Sequence, residues 1–301
     1  MSDTTASLSR KIGTASDLQS VVRTMKAVAA SSIGQYESAV RALDDYYHTV
    51  QLGLGACLRE IERPAPKPAP APAQDRPTGR IAAVVFGSDQ GLVGQFNDVM
   101  ASFVIKTLNG LPGEKTVWTV GERIRSRLLE TDLPLGQSFL LPGSIGAITP
   151  LVGQILIGIE ALREKAQTTR LIVFHNSPHA GAIYSPVCQR LLPPDEAWQR
   201  QLTTIAWPTQ VLPEVMGDTA ATLLAFVREY LFVSLFRACA ESLASENASR
   251  LAAMQRAEKN IDELLEDLNR SFHRLRQSGI DEELFDVISG FEALTSAAPS
   301  A

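Results

Sequence analysis

Apolar positions recur at steps of three and four over two long stretches, one at each end of this 301-residue chain. Near the C-terminus they run Leu251, Met254, Ala257, Ile261, Leu265, Leu268, Phe272 and Leu275. That spacing lays one narrow stripe along a helix, and a stripe sustained this far is a coiled-coil seam rather than the broad inner face of a globular helix. From Thr219 to Leu294 there is no proline, and Gly279 is the one glycine before the final stretch. An unbroken helix there would hold ~75 residues and measure roughly 110 Å. A seam needs a partner, and the first sixty residues supply one. After Ser7, a plausible cap, come Leu8, Ile12, Ala15, Leu18, Val22, Met25, Ala29, Ile33, Tyr36, Val40, Leu43, Tyr47, Val50 and Leu54. Gly13 and Gly34 interrupt the run, each weakening a helix by about 1 kcal/mol without ending it. Two such helices pair as an antiparallel coiled coil, with the middle of the chain as the loop between them. Two ordinary bundle helices are the plainer alternative.

The period changes in the middle. Residues 63–78, RPAPKPAPAPAQDRPT, cannot form helix or sheet interior. They read as a polyproline II spacer or an irregular surface loop. From Arg80 the pattern becomes strand and helix in alternation. Ile81 to Phe86 (IAAVVF) is a continuous apolar run of the kind buried in a parallel sheet. Asn97-Asp98 opens a helix to Leu108, Thr116–Val120 is a second strand, and Glu122–Glu130 a second helix. A weak strand follows at Phe139–Leu141. Thr149-Pro150 opens another helix, carrying Ile155, Ile159 and Leu162, and Leu171–Phe174 (LIVF) is a further buried strand. This order defines an α/β layer with a mostly parallel sheet. The expected organisation is an N-terminal helix over 1–62, the linker over 63–78, an α/β domain over 79–216 and a C-terminal helix over 217–301.

Composition narrows the functions open to such a chain. A net charge of −5 and a sequence pI of about 5.5 argue against a nucleic-acid surface. The first residues lack a basic stretch followed by an apolar run, so no secretory signal is expected. No eighteen-residue run is uninterruptedly apolar, so no membrane span is expected either. Cys57, Cys188 and Cys239 are odd in number and far apart, which suits reduced thiols. The turn after the first strand, Gly87-Ser-Asp-Gln-Gly-Leu-Val-Gly94, could cradle a phosphate, yet it is not G-x-G-x-x-G and the chain has no P-loop. A tight turn needing positive φ at glycine explains it as well. His175, His179 and Cys188 lie close in sequence, but their spacing fits no standard zinc set and Pro178 bars a helix presenting both histidines. No catalytic centre, cofactor or metal is expected.

Several stretches, in order, resemble the gamma subunit of F-type ATP synthases. Val21 to Ala30 (VVRTMKAVAA) resembles that family's K-A-M-x-M-V-A-A run. Ser88 to Asn97 (SDQGLVGQFN) resembles S-D-R-G-L-C-G-G-x-N, and Ser242 to Met254 (SLASENASRLAAM) resembles S-x-A-S-E-x-x-A-R-M-x-A-M. Leu275 to Ile280 and Glu283 to Gly290 resemble A-R-Q-A-x-I and E-L-x-E-I-V-x-G. Val93, Gln90, Gln95 and Asp281 depart from the family's pattern, as does the Pro/Ala linker, which marks a divergent or alternative-type member. The resemblance implies a central rotor shaft: an antiparallel coiled coil inside a ring of alpha and beta subunits, and a Rossmann-like foot beside the epsilon subunit and the membrane c-ring. It places the chain peripherally on the cytoplasmic face of the membrane, coupling ion flow to ATP synthesis or hydrolysis without catalytic residues of its own. It further implies ring contacts at Met25, Lys26, Arg250 and Gln277, and a foot or collar loop containing Ser88, Asp89, Gly91, Gly94 and Asn97. Two rivals remain on the residues alone. One is a nucleotide-binding α/β enzyme with a coiled-coil oligomerisation arm, and the other is a coiled-coil tether.

Overall fold

The computed structural model describes residues 4–62, 79–166, 168–179, 182–211 and 213–296. The Pro/Ala linker lies outside them. The elements in chain order are α1 (Thr5–Glu62), β1 (Arg80–Phe86), α2 (Phe96–Asn109), β2 (Lys115–Val120), α3 (Glu122–Leu129), β3 (Leu135–Phe139), a 3-10 turn (Ile145–Ala147), α4 (Ile148–Ala166), β4 (Thr168–His179), β5 (Ala182–Leu192), α5 (Glu196–Thr204) and α6 (Thr219–Ser296). They form two compact units: residues 1–28 with 251–301, and residues 29–250. Both long helices contribute to each unit.

The larger unit is a five-stranded sheet in the order β3-β2-β1-β4-β5. The first four strands are parallel and β5 runs antiparallel on the edge. The apolar run of β1 is buried on both faces, which is why it does not alternate with polar residues. Ala82, Val84 and Phe86 face a core shared with α4 (Ile148, Val152, Ile155, Ile159), α1 (Tyr36, Val50, Leu54) and α6 (Leu231, Leu235, Leu243). Ile81, Ala83 and Val85 face α2 and α3 through Met100, Val104, Leu108, Ile124 and Leu128. Strand β4 obeys the same parity, Leu171 and Val173 toward α1 and α6, Ile172 and Phe174 toward α2.

The smaller unit is a helix pair. Leu8, Ala15 and Met254 are buried, while Ile12, Val22, Met25, Ala257, Ile261, Leu265, Leu268, Phe272 and Leu275 are half-buried. Three polar contacts fix the direction: Gln19 donates to Asp262, Arg23 Nε to Glu258 Oε1 at 3.0 Å, and Lys26 Nζ to Glu258 Oε2 at 2.5 Å. As the α1 partner advances from Gln19 to Arg23, the α6 partner retreats from Asp262 to Glu258, so the pair is antiparallel.

The structure corrects three expectations. Leu18 is 53% exposed and Gln19 takes its seam position. The weak strand lies at Leu135–Phe139 rather than Phe139–Leu141. β4 extends to His179, and β5 and α5 were not anticipated. Among the described residues, two helical stretches, 145–162 and within 219–289, contain eighteen-residue windows apolar enough to cross a membrane by length and composition alone. In the fold, Ile148, Val152, Ile155 and Ile159 of the first and Leu231, Leu235 and Leu243 of the second line the core beneath the sheet.

Candidate functional site

In a doubly wound sheet, ligands bind outside the carboxyl ends of the strands where the strand order reverses. Here that point lies between β1 and β4, and the loop after β1 carries the expected Ser88, Asp89, Gly91, Gly94 and Asn97. These side chains are spent on the loop itself. Asn97 Oδ1 accepts from the buried Ser88 N–H at 3.0 Å, and Asn97 Nδ2 donates to Ser88 Oγ at 2.8 Å. Ser88 Oγ donates onward to Gln90 O at 2.9 Å. The Asp89 carboxylate accepts from Glu122 N, the first residue of α3, at 2.8 Å and from Leu141 N at 3.0 Å. It therefore satisfies an open amide at the helix start with a charge of the favoured sign. Gly94 has φ 58°, the left-handed region that favours glycine. Gly91 has no such φ, and a Cβ there would approach only Arg123 Nη2, at 3.8 Å; nothing in the structure explains that glycine.

Helix α6 closes the crevice. Ser249 Oγ donates to Val93 O at 2.6 Å and Ser245 Oγ to Asn176 O at 3.1 Å. Asn176 Nδ2 reaches Phe96 O at 3.4 Å. One turn earlier on α6, Glu241 Oε2 meets His175 Nε2 at 3.0 Å, and Arg237 Nε donates to Glu241 Oε1 at 2.8 Å. Arg237 Nη1 also reaches Asp44 of α1 at 3.2 Å. Burial raises the Glu241 carboxyl, but hydrogen bonds from His175, Arg237 and Ser177 outweigh it and hold it at about 2. Glu246 is the opposite case: burial pushes its carboxyl up further than Arg250 can pull it down, with Asp89 adding to the rise.

The four expected partner-contact residues fare differently. Arg250 is folded back on its own helix, with Nη2 on Glu246 Oε1 at 2.5 Å and Nη1 on Asn247 Oδ1 at 3.3 Å. Its side chain is 13% exposed. Lys26 shares Glu258 with Arg23, beside the half-buried Met25. Gln277 is exposed. The three candidate soft ligands are not brought together: Cys188 pairs across the ladder with Phe174, one residue out of phase with His175. Among the described residues no cluster of three or more metal-binding side chains exists. Sequence reasoning missed the His175–Glu241 pair. Its signal was the parity of β4, which sets His175 and Ser177 on the face that Leu171 and Val173 turn to the helices.

Two long terminal helices thus bracket a doubly wound insert, and α6 bonds across the carboxyl ends of its strands. The family model for ATP synthase matches residues 4–294. The ATP synthase gamma chain of Granulibacter bethesdensis is 28% identical over 301 residues, covering 94% of this chain and 97% of that one. The chain belongs to the gamma family of ATP synthase, subunits of its central stalk. Its fold is similar to that in the rotor of the Euglena gracilis mitochondrial ATP synthase in one rotational state, with TM-score 0.63, 15% identity, and coverage of 92% of this chain and 98% of that one. A second Euglena gracilis structure, of the OSCP/F1/c-ring assembly, gives TM-score 0.65 at 16% identity and covers 99% and 96%. The central stalk and c-ring of the Tetrahymena thermophila enzyme gives 0.55 at 21%, covering 79% and 99%.

Proposed function

We propose that this chain is the turning shaft of a rotary ATP synthase, a mechanical part with no active site of its own. The observation that carries the reading is the closed crevice: the place where a doubly wound fold would hold a nucleotide is taken by Ser245 and Ser249 of α6. The helix pair would turn within a ring of alpha and beta subunits, and the α/β unit would sit beside the epsilon subunit and the c-ring, on the cytoplasmic face of the membrane. Ion flow through the c-ring would turn the asymmetric shaft and cycle the catalytic sites. Purification of the native complex tests this directly. Alpha, beta, epsilon and c subunits should accompany the chain, and the isolated chain should not bind ATP. Tight ATP binding by the isolated chain would instead favour a nucleotide enzyme.

Within this reading Met25, Lys26, Arg250 and Gln277 are the proposed ring contacts. Lys26 and Arg250 already hold carboxylates of their own chain, so each would meet the ring by exchanging one carboxylate for another. Gln277, exposed with two donors and an acceptor, needs no such exchange. Arg250→Ala would leave Glu246 buried without its cation, a loss of about 3–5 kcal/mol, and so confounds contact with folding. Gln277→Ala is the cleaner variant. It should assemble at normal stoichiometry and lose ATP-driven ion pumping in vesicles; unimpaired pumping would make this side chain a bystander.

A further inference from the structure

We propose that Glu241 locks the sheet to α6 in torsion, so that the α/β unit and the helix turn as one body; this rests on the rotor reading above. The odd-numbered residues of β4 face the helices. Leu171 and Val173 meet them with apolar side chains, but the column then turns polar at His175 and Ser177. His175 Nε2 reaches Glu241 Oε2 at 3.0 Å. Arg237 completes the arrangement by bonding Glu241 and, on α1, Asp44. One carboxylate thus joins strand β4 to α6 and, through Arg237, both to α1.

An apolar contact at this place would be as stabilising, since replacing a buried ion pair by hydrophobic residues is often neutral or favourable. What an apolar contact lacks is direction. Side chains held by dispersion can slide past one another, whereas a hydrogen bond weakens steeply off its axis. Recesses of about 190 Å³ and 390 Å³ both have Arg237 and Glu241 in their walls. Beside them, Ala238, Leu243 and Ala244 of α6 pack in the core shared with Leu171 and Val173, and hydrogen bonds add direction to that contact. Three polar bridges cross to α6 from the carboxyl-end side of the sheet: His175–Glu241, Asn176–Ser245 and Val93–Ser249. Glu241 carries the one in which both partners are side chains.

The test is a double variant, His175→Leu with Glu241→Leu, in the assembled complex. Arg237 keeps Asp44 and is 42% exposed, so it is not stranded. A probe on the exposed Cys188 of β5 reports the angle of the sheet while the catalytic head is immobilised and stalled. Treating the three bridges as equal springs in parallel, loss of one removes a third of their stiffness, and the angular variance rises by up to about 1.5-fold. Assembly should be normal. Unchanged variance in the double variant would overturn the lock. Should the double variant fail to assemble, Glu241→Gln, which keeps the shape but weakens both charged bonds, must show the same rise in smaller measure, and unchanged variance there overturns it equally. If the wild-type chain itself fails to rotate in the complex, the rotor reading falls and not the lock alone.

Discussion

Asn97→Ala is the perturbation whose effect can be worked most directly from the structure. Asn97 is 7% exposed and Ser88 is fully buried. The amide side chain does two things at once: its oxygen accepts the Ser88 N–H at 3.0 Å and its nitrogen donates to Ser88 Oγ at 2.8 Å. Alanine removes both. The lost side-chain bond costs about 1 kcal/mol, and the Ser88 N–H, buried with no replacement acceptor, adds about 1–3 kcal/mol. The expected loss is about 2–4 kcal/mol. Ser88→Ala separates the two contributions. It removes Oγ but leaves the backbone N–H on Asn97, so it should cost only about 1 kcal/mol. A double-mutant cycle between the two positions should then return a coupling of about 1 kcal/mol, the share of the Nδ2–Oγ bond. Urea unfolding followed by tryptophan fluorescence suits the measurement, since Trp118 is 4% exposed in the core beneath the sheet. A loss below about 0.5 kcal/mol for Asn97→Ala, the range of ordinary surface changes, would refute the view that the loop is held by its own side chains.

Three further outcomes follow from the same geometry. Leu268→Glu places a charge in the half-buried seam; it should cost about 1–2 kcal/mol of burial and lower helical melting and complex assembly, and an unchanged melt would remove Leu268 from the seam. Gly94→Ala forces a Cβ into the left-handed region at φ 58° and should cost about 1–2 kcal/mol, read as a lower urea midpoint with an unchanged slope. The Glu241 carboxyl sits at about 2 in the fold against an ordinary 4.5, so its contribution is fully present above pH 4.5 and is lost as pH falls toward 2. That contribution is about 3 kcal/mol at most, and acid unfolding of Glu241→Gln should be correspondingly flatter over that interval.

Long-range pattern was legible in the sequence and short or tertiary features were not. The α6 stripe from Met254 to Leu275 emerges position for position as the less exposed side of the helix, because nothing else competes for those side chains. β1 was equally plain, since a strand covered on both faces leaves a continuous apolar run. β5 gave no such signal. It lies on the edge with Pro186 and Arg190 in it, and its pattern of exposure does not alternate. β3 is five residues with one buried position, Phe139, so the sequence located its last residue and misjudged its direction of extension. In the loop after β1, Ser88 and Asn97 bond each other within ten residues of sequence, whereas Asp89 bonds Glu122 at the start of α3, a meeting that no local pattern encodes.

The α1 stripe was misjudged at one place for an instructive reason. Following apolar residues alone gives Leu8, Ile12, Ala15, Leu18, Val22, Met25 and Ala29, in which the three-residue and four-residue steps fall out of strict alternation. The less exposed positions include Leu8, Ile12, Ala15, Gln19, Val22, Lys26 and Ala29, with steps that alternate without fault. The seam therefore passes through Gln19 and Lys26, seven residues apart, while the apolar Leu18 points to solvent and Met25 only flanks it. Each polar seam residue meets an acidic partner on α6, Asp262 and Glu258, themselves four residues apart. A slip of one heptad would keep apolar facing apolar but would separate Glu258 from both Arg23 and Lys26. Polar residues at such positions specify register at some expense of stability. Lys26→Leu should thus raise the melting temperature of the helix pair while loosening its register, a combination that hydrophobic pattern alone would not lead one to expect.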